Sequence, residues 1–161
     1  MSIRVLIVDD HRILRAGLRT LLNADTNIEV IGEATNGDEA ILSAQEHRPE
    51  IVLMDIGMPG LNTLDAVRQL VKILPDTRIL MLTMHEDTAM MQEYIRAGAS
   101  GYIIKRAAES ELIDAIYAVW RGIIYIHPSL MQSLIEPKRA ADPTDRVNAE
   151  TLTAREIEIC A

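Results

Sequence analysis

Five polar residues stand at places in the sequence where chemistry is possible. Asp9 and Asp10 follow the apolar run Ile3–Val8, Asp55 follows Ile51–Met54, Thr83 closes Arg78–Thr83, and Lys105 follows Gly101–Ile104. Three carboxylates brought together repel one another, so either their pKa values rise or a cation joins them. An all-oxygen donor set with few protein ligands suits Mg2+, which keeps several waters and shares phosphate oxygens. Lys105 brings a further positive charge and Thr83 a hydroxyl donor. What such an assembly lacks is an anion between the metal and the ammonium, and a phosphoryl group carried on Asp55 supplies it. Asp55 then reads as a nucleophile at a strand end. The punctuation after it, Gly57-Met58-Pro59-Gly60, turns the chain away and keeps the carboxylate accessible.

The elements that must position these residues alternate along the chain. Segments that read as strands (the β-branched run Ile3–Val8, then Ile28–Ala34, Ile51–Met54, Arg78–Thr83, Gly101–Ile104) are each followed by a segment that reads as a helix. The helical segments are His11–Asn23, Asp38–Arg48, Leu64–Leu74, Thr88–Ala97 and Glu109–Trp120. Five β-α units in about 120 residues predict an α/β fold: a five-stranded, flavodoxin-like, doubly wound parallel sheet with helices on both faces. In the order 2-1-3-4-5 the switch point falls between the first and third strands, which carry the acids, and ligands collect at the carboxyl ends of strands there. Taken singly, each residue has a plainer account. Asp10 is a plausible helix N-cap, Lys105 a solvated surface lysine, Thr83 an ordinary strand residue and Tyr102 core filling. One ligand that explains the whole set outweighs them. His11 and His85 flank the same rim, but four scattered histidines show no metal-ligand spacing, and both read as non-ligands.

Composition narrows the function. The 161 residues carry a formal net charge of −8, which argues against a broad phosphate-binding surface for nucleic acid. A single cysteine, Cys160, excludes an internal disulfide and points to a reducing, cytoplasmic setting. The N-terminus MSIRVLIVDD is no signal peptide, and no apolar stretch is long enough to span a membrane. After Arg121 the β-α rhythm breaks. The expected organisation is a domain over 1–121, a short helix and polar linker over 122–150, and a new element from 151, where Thr153 and Glu156 form a capping box.

Asp9-Asp10, Asp55 followed by Met58-Pro59-Gly60, Thr83, and Gly101-Tyr102 ahead of Lys105 occur in this order and on these elements. In this the first 120 or so residues resemble bacterial response-regulator receiver domains. The tail LTAREIEICA resembles the opening of a LuxR-type helix-turn-helix domain, and the two together indicate the NarL/FixJ class. The resemblance implies that a sensor histidine kinase is the partner and Asp55 the phosphoacceptor. It implies Mg2+ ligation by Asp10, Asp55 and the Gly57 carbonyl, with Asp9 acting through metal-bound water. Thr83 and Lys105 would bind the phosphoryl oxygens, and Tyr102 would be an aromatic switch that turns inward when Thr83 moves. Gly57 and His85, two residues past Asp55 and Thr83, are expected to tune dephosphorylation. The chain departs from the commonest receiver pattern at Asn62-Thr63 and at Arg106, where a proline often follows the lysine.

On this reading the protein is a regulator and no enzyme beyond its own phosphorylation and dephosphorylation. It is expected to dimerise when phosphorylated, through the fourth helix, fifth strand and fifth helix or through the first and fifth helices. DNA binding is expected only through the output domain, of which Thr153–Ala161 is the start. The 161-residue chain is accordingly expected to be a piece of a longer regulator without sequence-specific DNA binding of its own. The alternative is a stand-alone receiver acting as phosphoryl shuttle or protein-binding switch, which has no need of a linker and capping box. A Mg2+-dependent phosphatase-like hydrolase would place a second acid two residues after the nucleophile, where this chain has Gly57.

Overall fold

Parallel strands buried on both faces need continuous apolar runs, and the central strands have them. The computed structural model describes residues 2–56, 62–84, 87–105, 109–128 and 130. In chain order the elements are β1 (Ile3–Val8), α1 (Arg12–Asn23), β2 (Ile28–Ala34), α2 (Gly37–His47), β3 (Ile51–Asp55), α3 (Thr63–Ile73), β4 (Arg78–Thr83), α4 (Thr88–Ala97), β5 (Gly101–Ile104), α5 (Glu109–Trp120) and β6 (Tyr125–Ile126). The strands form one parallel sheet in the order β2-β1-β3-β4-β5-β6. Every residue of β3, the third strand from one edge, is buried. No helix among the described residues is long and apolar enough to cross a membrane.

The doubly wound order 2-1-3-4-5 is present, with one strand more than the sequence predicts. β6 lies past Arg121, where the fold was expected to end, and pairs Tyr125 and Ile126 with Gly101 and Tyr102. Two residues are too few to display a period of two, so the sequence carries no readable sign of it. The compact unit accordingly runs through His127, and residues 128–161 form a second unit. Of that second unit only Pro128 and Leu130 are described, so the expected short helix, linker and capping box lie outside the described residues.

Side chains alternate across the sheet. Val5, Ile7, Leu53, Leu80, Leu82 and Ile103 pack with Leu18 and Leu22 of α1 and with Leu112, Ile116 and Val119 of α5. Leu6, Met54, Met81 and Tyr102 are buried with the opposite parity, toward the layer that holds the buried Ala40, Ala44, Ala66, Leu70, Met91 and Tyr94 of α2, α3 and α4. Register then fixes the functional edge. Val8 pairs with Met54, Asp55 with Leu82, and Thr83 with Ile104. Asp9, Asp55 and Lys105 therefore continue the rows of Ile7, Leu53 and Ile103, while Thr83 shares its face with Met81 and Tyr102.

Helix N-caps set where the loops of that edge end. Asn62 accepts a hydrogen bond from Leu64 N at the start of α3, and Asp87 from Met90 N at the start of α4. α4 ends on Gly98 at φ +114°, and a Cβ there would stand 2.7 Å from Val71 Cγ2. Gly98→Ala is expected to cost about 2–4 kcal/mol, combining backbone strain with overpacking. Urea unfolding measures it, and a loss below about 0.5 kcal/mol, the noise of an ordinary surface substitution, would contradict this account of the α4–β5 corner.

Candidate functional site

The carboxyl edge of β1, β3, β4 and β5 gathers the polar residues. Asp9 is fully buried. Its Oδ1 accepts from the His11 backbone N–H at 2.8 Å and lies 3.0 Å from His11 Nδ1. Its Oδ2 accepts no hydrogen bond of good geometry, and Lys105 Nζ stands 3.2 Å away as counter-charge. The same ammonium lies 2.8 Å from Asp55 Oδ1, with 8% of the lysine side chain exposed. Thr83 is buried, and its carbonyl accepts from Lys105 N at 2.6 Å, which ties the end of β4 to the residue that carries the cation. Arg15 of α1 donates to the Asp9 carbonyl at 2.7 Å and is itself held by Glu33 of β2 at 2.9 Å, so the backbone of Asp9 is braced from the helix side.

Electrostatics follow from this geometry. Burial raises the Asp55 carboxyl above the usual carboxylate range, the Lys105 bond pulls the other way, and the charges of Asp9 and Asp10 add to the rise. Burial alone would lower the Lys105 ammonium, but Asp55 and then Asp9 outweigh it and hold the lysine above its ordinary value.

Asp10 differs from its neighbour. Its side chain is 32% exposed, and the only group within salt-bridge distance among the described residues is the His11 ring at 3.2 Å. Asp10 is not the helix cap that its position allows. α1 starts one residue later, with His11 in the N-cap position and no side-chain cap hydrogen bond. The plain structural role considered for Asp10 is therefore absent, and its carboxylate is left facing the cluster.

One donor atom each from Asp9, Asp10, His11 and Asp55 lies within 4.8 Å of the others. Trans ligands of a dication with bonds of about 2.1 Å stand about 4.2 Å apart. Three carboxylates at this spacing thus fit a divalent cation. Residues 5–117 match the family model of the response regulator receiver domain.

The chain belongs to the response regulator receiver family. It is 32% identical over 157 residues to the transcriptional regulatory protein DegU of Brevibacillus brevis, covering 98% of this chain and 66% of DegU. Response regulator GacA of Pseudomonas protegens is 37% identical over 157 residues, covering 98% of this chain and 73% of GacA. The chain thus spans about two thirds to three quarters of the length of these relatives. A crystal structure of a two-component response regulator of the LuxR family from Aurantimonas sp. matches with a TM-score of 0.79 at 36% identity, covering 82% of this chain and 94% of that one. The receiver is of the kind found in two-component response regulators of the LuxR family.

Within the receiver, the structure brings Asp9, Asp10, Asp55 and Lys105 into one cluster and sets Thr83 and Tyr102 on the neighbouring face of the sheet. Tyr102 is fully buried. Its hydroxyl makes no well-aligned hydrogen bond, and burial raises its pKa while the Thr83 side chain offsets part of the rise. Gly57 and His85, together with Met58-Pro59-Gly60 and Arg106, lie outside the described residues.

Two residues escaped the sequence reading. His11 was set aside for want of metal-ligand spacing, yet its ring meets both Asp9 and Asp10. Its place directly after the acid pair at a strand end was the available signal. Tyr94 of α4 lies with its ring centroid 6.4 Å from that of Tyr102, tilted by 43°. Burial pushes its pKa up to about 12, helped by Tyr102 and opposed by the Thr63 side chain. Helical spacing marks Tyr94 only as an inward residue, and its partner depends on the pairing of β4 with β5.

Proposed function

We propose that this receiver accepts a phosphoryl group on Asp55 from a sensor histidine kinase and so controls transcription through a DNA-binding output domain. The observation that carries the reading is Asp55 at the end of β3, paired to a buried lysine inside a cluster of three carboxylates.

Lys105 engages Asp55 Oδ1, so Oδ2 is the oxygen assigned as nucleophile. It attacks phosphorus as the P–N bond of the kinase phosphohistidine breaks, and the electron pair of that bond leaves with the imidazole. Lys105 is already within one side-chain movement of the new oxygens and meets their charge, about −1.5 to −2 at neutral pH. The Thr83 hydroxyl donates to a phosphoryl oxygen. Asp10 and Asp55, with the Gly57 carbonyl, would hold Mg2+, and Asp9 would act through bound water. When bound, Mg2+ supplies positive charge against the phosphoryl oxygens. Movement of Thr83 is read by Tyr102 on the same face of the sheet, and phosphorylation favours a homodimer by shifting two states a few kcal/mol apart. Gly57 and His85 set the rate at which water removes the group. The receiver has no substrate to turn over beyond its own phosphoaspartate, and its setting is the cytoplasm.

Intact-mass measurement after incubation with acetyl phosphate and Mg2+ tests this. One added phosphoryl group on the parent and none on Asp55→Asn is the expected outcome. Equal labelling of both chains would refute the assignment.

A further inference from the structure

A thioether stands directly past the end of β4. Thr83 is 3% exposed, and Met84, the next residue, is 62% exposed. Met54 and Met81 are 0% and Met91 is 1% exposed, and Met90 is partly covered. Among the described residues, Met84 is therefore the one methionine open to solvent. Its place relative to Lys105 follows from the sheet. The Lys105 backbone N–H donates to the Thr83 carbonyl at 2.6 Å, which lays the Thr83–Met84 peptide against the lysine backbone. The ammonium of the same lysine lies 2.8 Å from Asp55 Oδ1 and 3.2 Å from Asp9 Oδ2. β4 stands between β5, which leads into the lysine, and β3, which carries Asp55. The lysine stem thus crosses the end of β4 to reach its partners. Side-chain alternation puts Met84 in the row of Leu80 and Leu82, and Leu82 lines one cavity with Lys105. The Met84 thioether belongs to the rim over which the lysine reaches Asp55.

Sulfur at this place has a chemistry that a leucine or isoleucine lacks. Two-electron oxidation turns the apolar thioether into a sulfoxide, a polar group whose oxygen accepts hydrogen bonds. With hydrogen peroxide as oxidant, the sulfur lone pair takes one oxygen, the O–O bond breaks, and the second oxygen leaves as water with both hydrogens. Two thiols return the electrons, closing a disulfide and releasing the sulfoxide oxygen as water. We propose that Met84 is a redox-sensitive modification site whose oxidation by a peroxide slows phosphoryl uptake at Asp55. The nearest strong donor along the rim is the Lys105 ammonium, which carries three N–H groups. The sulfoxide oxygen accepts from it and draws it away from the position where it meets incoming phosphoryl oxygens. Selectivity comes from exposure, since the sheet and helices enclose Met54, Met81 and Met91. The inference rests on the phosphoacceptor reading above and adds to it a reversible chemical input at the rim of the same site.

The test uses the full chain with hydrogen peroxide as oxidant, in a Cys160→Ser background that removes thiol oxidation. Met84→Leu keeps the apolar bulk without the sulfur. Acetyl phosphate time courses read by intact mass give the rate of uptake before and after peroxide, and peptide mapping gives the sulfoxide at each methionine. Met84 is expected to oxidise at least about ten-fold faster than Met54, Met81 and Met91. Uptake in the oxidised chain is expected to fall about ten-fold, the weight of one hydrogen bond to a charged group, and to recover after treatment with methionine sulfoxide reductases for both epimers. Met84→Leu is expected to take up phosphoryl groups at the untreated rate and to keep that rate in peroxide. Equal oxidation of Met84 and the buried methionines, undiminished uptake in a chain that carries the sulfoxide at Met84, or the same loss in peroxide-treated Met84→Leu overturns the inference and leaves the phosphoacceptor reading standing. Absence of phosphoryl uptake in the untreated chain overturns that reading and this inference with it.

Discussion

Replacing Lys105 by methionine slows phosphoryl uptake at Asp55 by about 100-fold or more, the usual effect of removing one preorganised charge from developing anionic oxygens. Methionine keeps much of the length and apolar stem of lysine and removes only the ammonium. No other cation among the described residues lies within salt-bridge distance of both Asp9 and Asp55, because the Arg15 guanidinium is spent on Glu33 and on the Asp9 carbonyl. The same substitution leaves two buried carboxylates without their counter-charge. Breaking a buried pair costs about 3–5 kcal/mol, and the partial exposure of Asp10 at the rim lets water in, so the lower end of that range applies to the metal-free protein. Acetyl phosphate time courses give the rate and urea unfolding in chelator gives the stability. A variant that is labelled at the parental rate would remove Lys105 from the proposed machinery.

Magnesium is expected to stabilise the folded chain by about 2.7 kcal/mol at one hundred times its dissociation constant, if it binds the assembled site and not the unfolded chain. Asp10→Asn abolishes most of this response. In chelator the same variant is expected to be no less stable than the parent, since a partly exposed carboxylate whose charge adds to those of Asp9 and Asp55 has been neutralised; the gain is at most about 1 kcal/mol in so wet a position. The two effects have opposite sign, which separates them from simple damage to the fold. Urea unfolding of both chains with Mg2+ and with chelator reads them together. An undiminished Mg2+ response in Asp10→Asn would place the ion elsewhere.

Most of the scaffold is legible in the sequence, for physical reasons that can be named. The predicted bounds of Ile28–Ala34, Arg78–Thr83 and Gly101–Ile104 match the observed strands. The bounds of α4 and α5 match as well, between Asp87 and Gly98 for one and over Glu109–Trp120 for the other. Errors appear where a boundary depends on hydrogen bonding rather than on apolar spacing. Asp55 is itself the last rung of β3, paired with Leu82, and α1 starts after His11. Legibility of the site splits in the same way. That Asp9, Asp10, Asp55, Thr83 and Lys105 share one edge follows from strand order. That one ammonium bridges Asp9 and Asp55, or that Tyr94 lies against Tyr102, follows only from register and side-chain direction, which no single segment encodes. The His11 ring is the extreme case, since its contacts are with residues one and two positions away and depend on the exit angle of β1.

The central claim is that residue 55 carries the phosphoryl group. Hydride reduction converts a phosphoaspartate to homoserine and leaves an unmodified aspartate unchanged, so the label is written into the peptide at the residue that bore it. The chain is phosphorylated with acetyl phosphate in Mg2+, reduced with borohydride, digested and sequenced by mass spectrometry. Homoserine at position 55, with aspartate intact at positions 9 and 10, is the expected result. Homoserine at position 9 or 10, or aspartate at all three positions in a chain whose intact mass had increased, would contradict it.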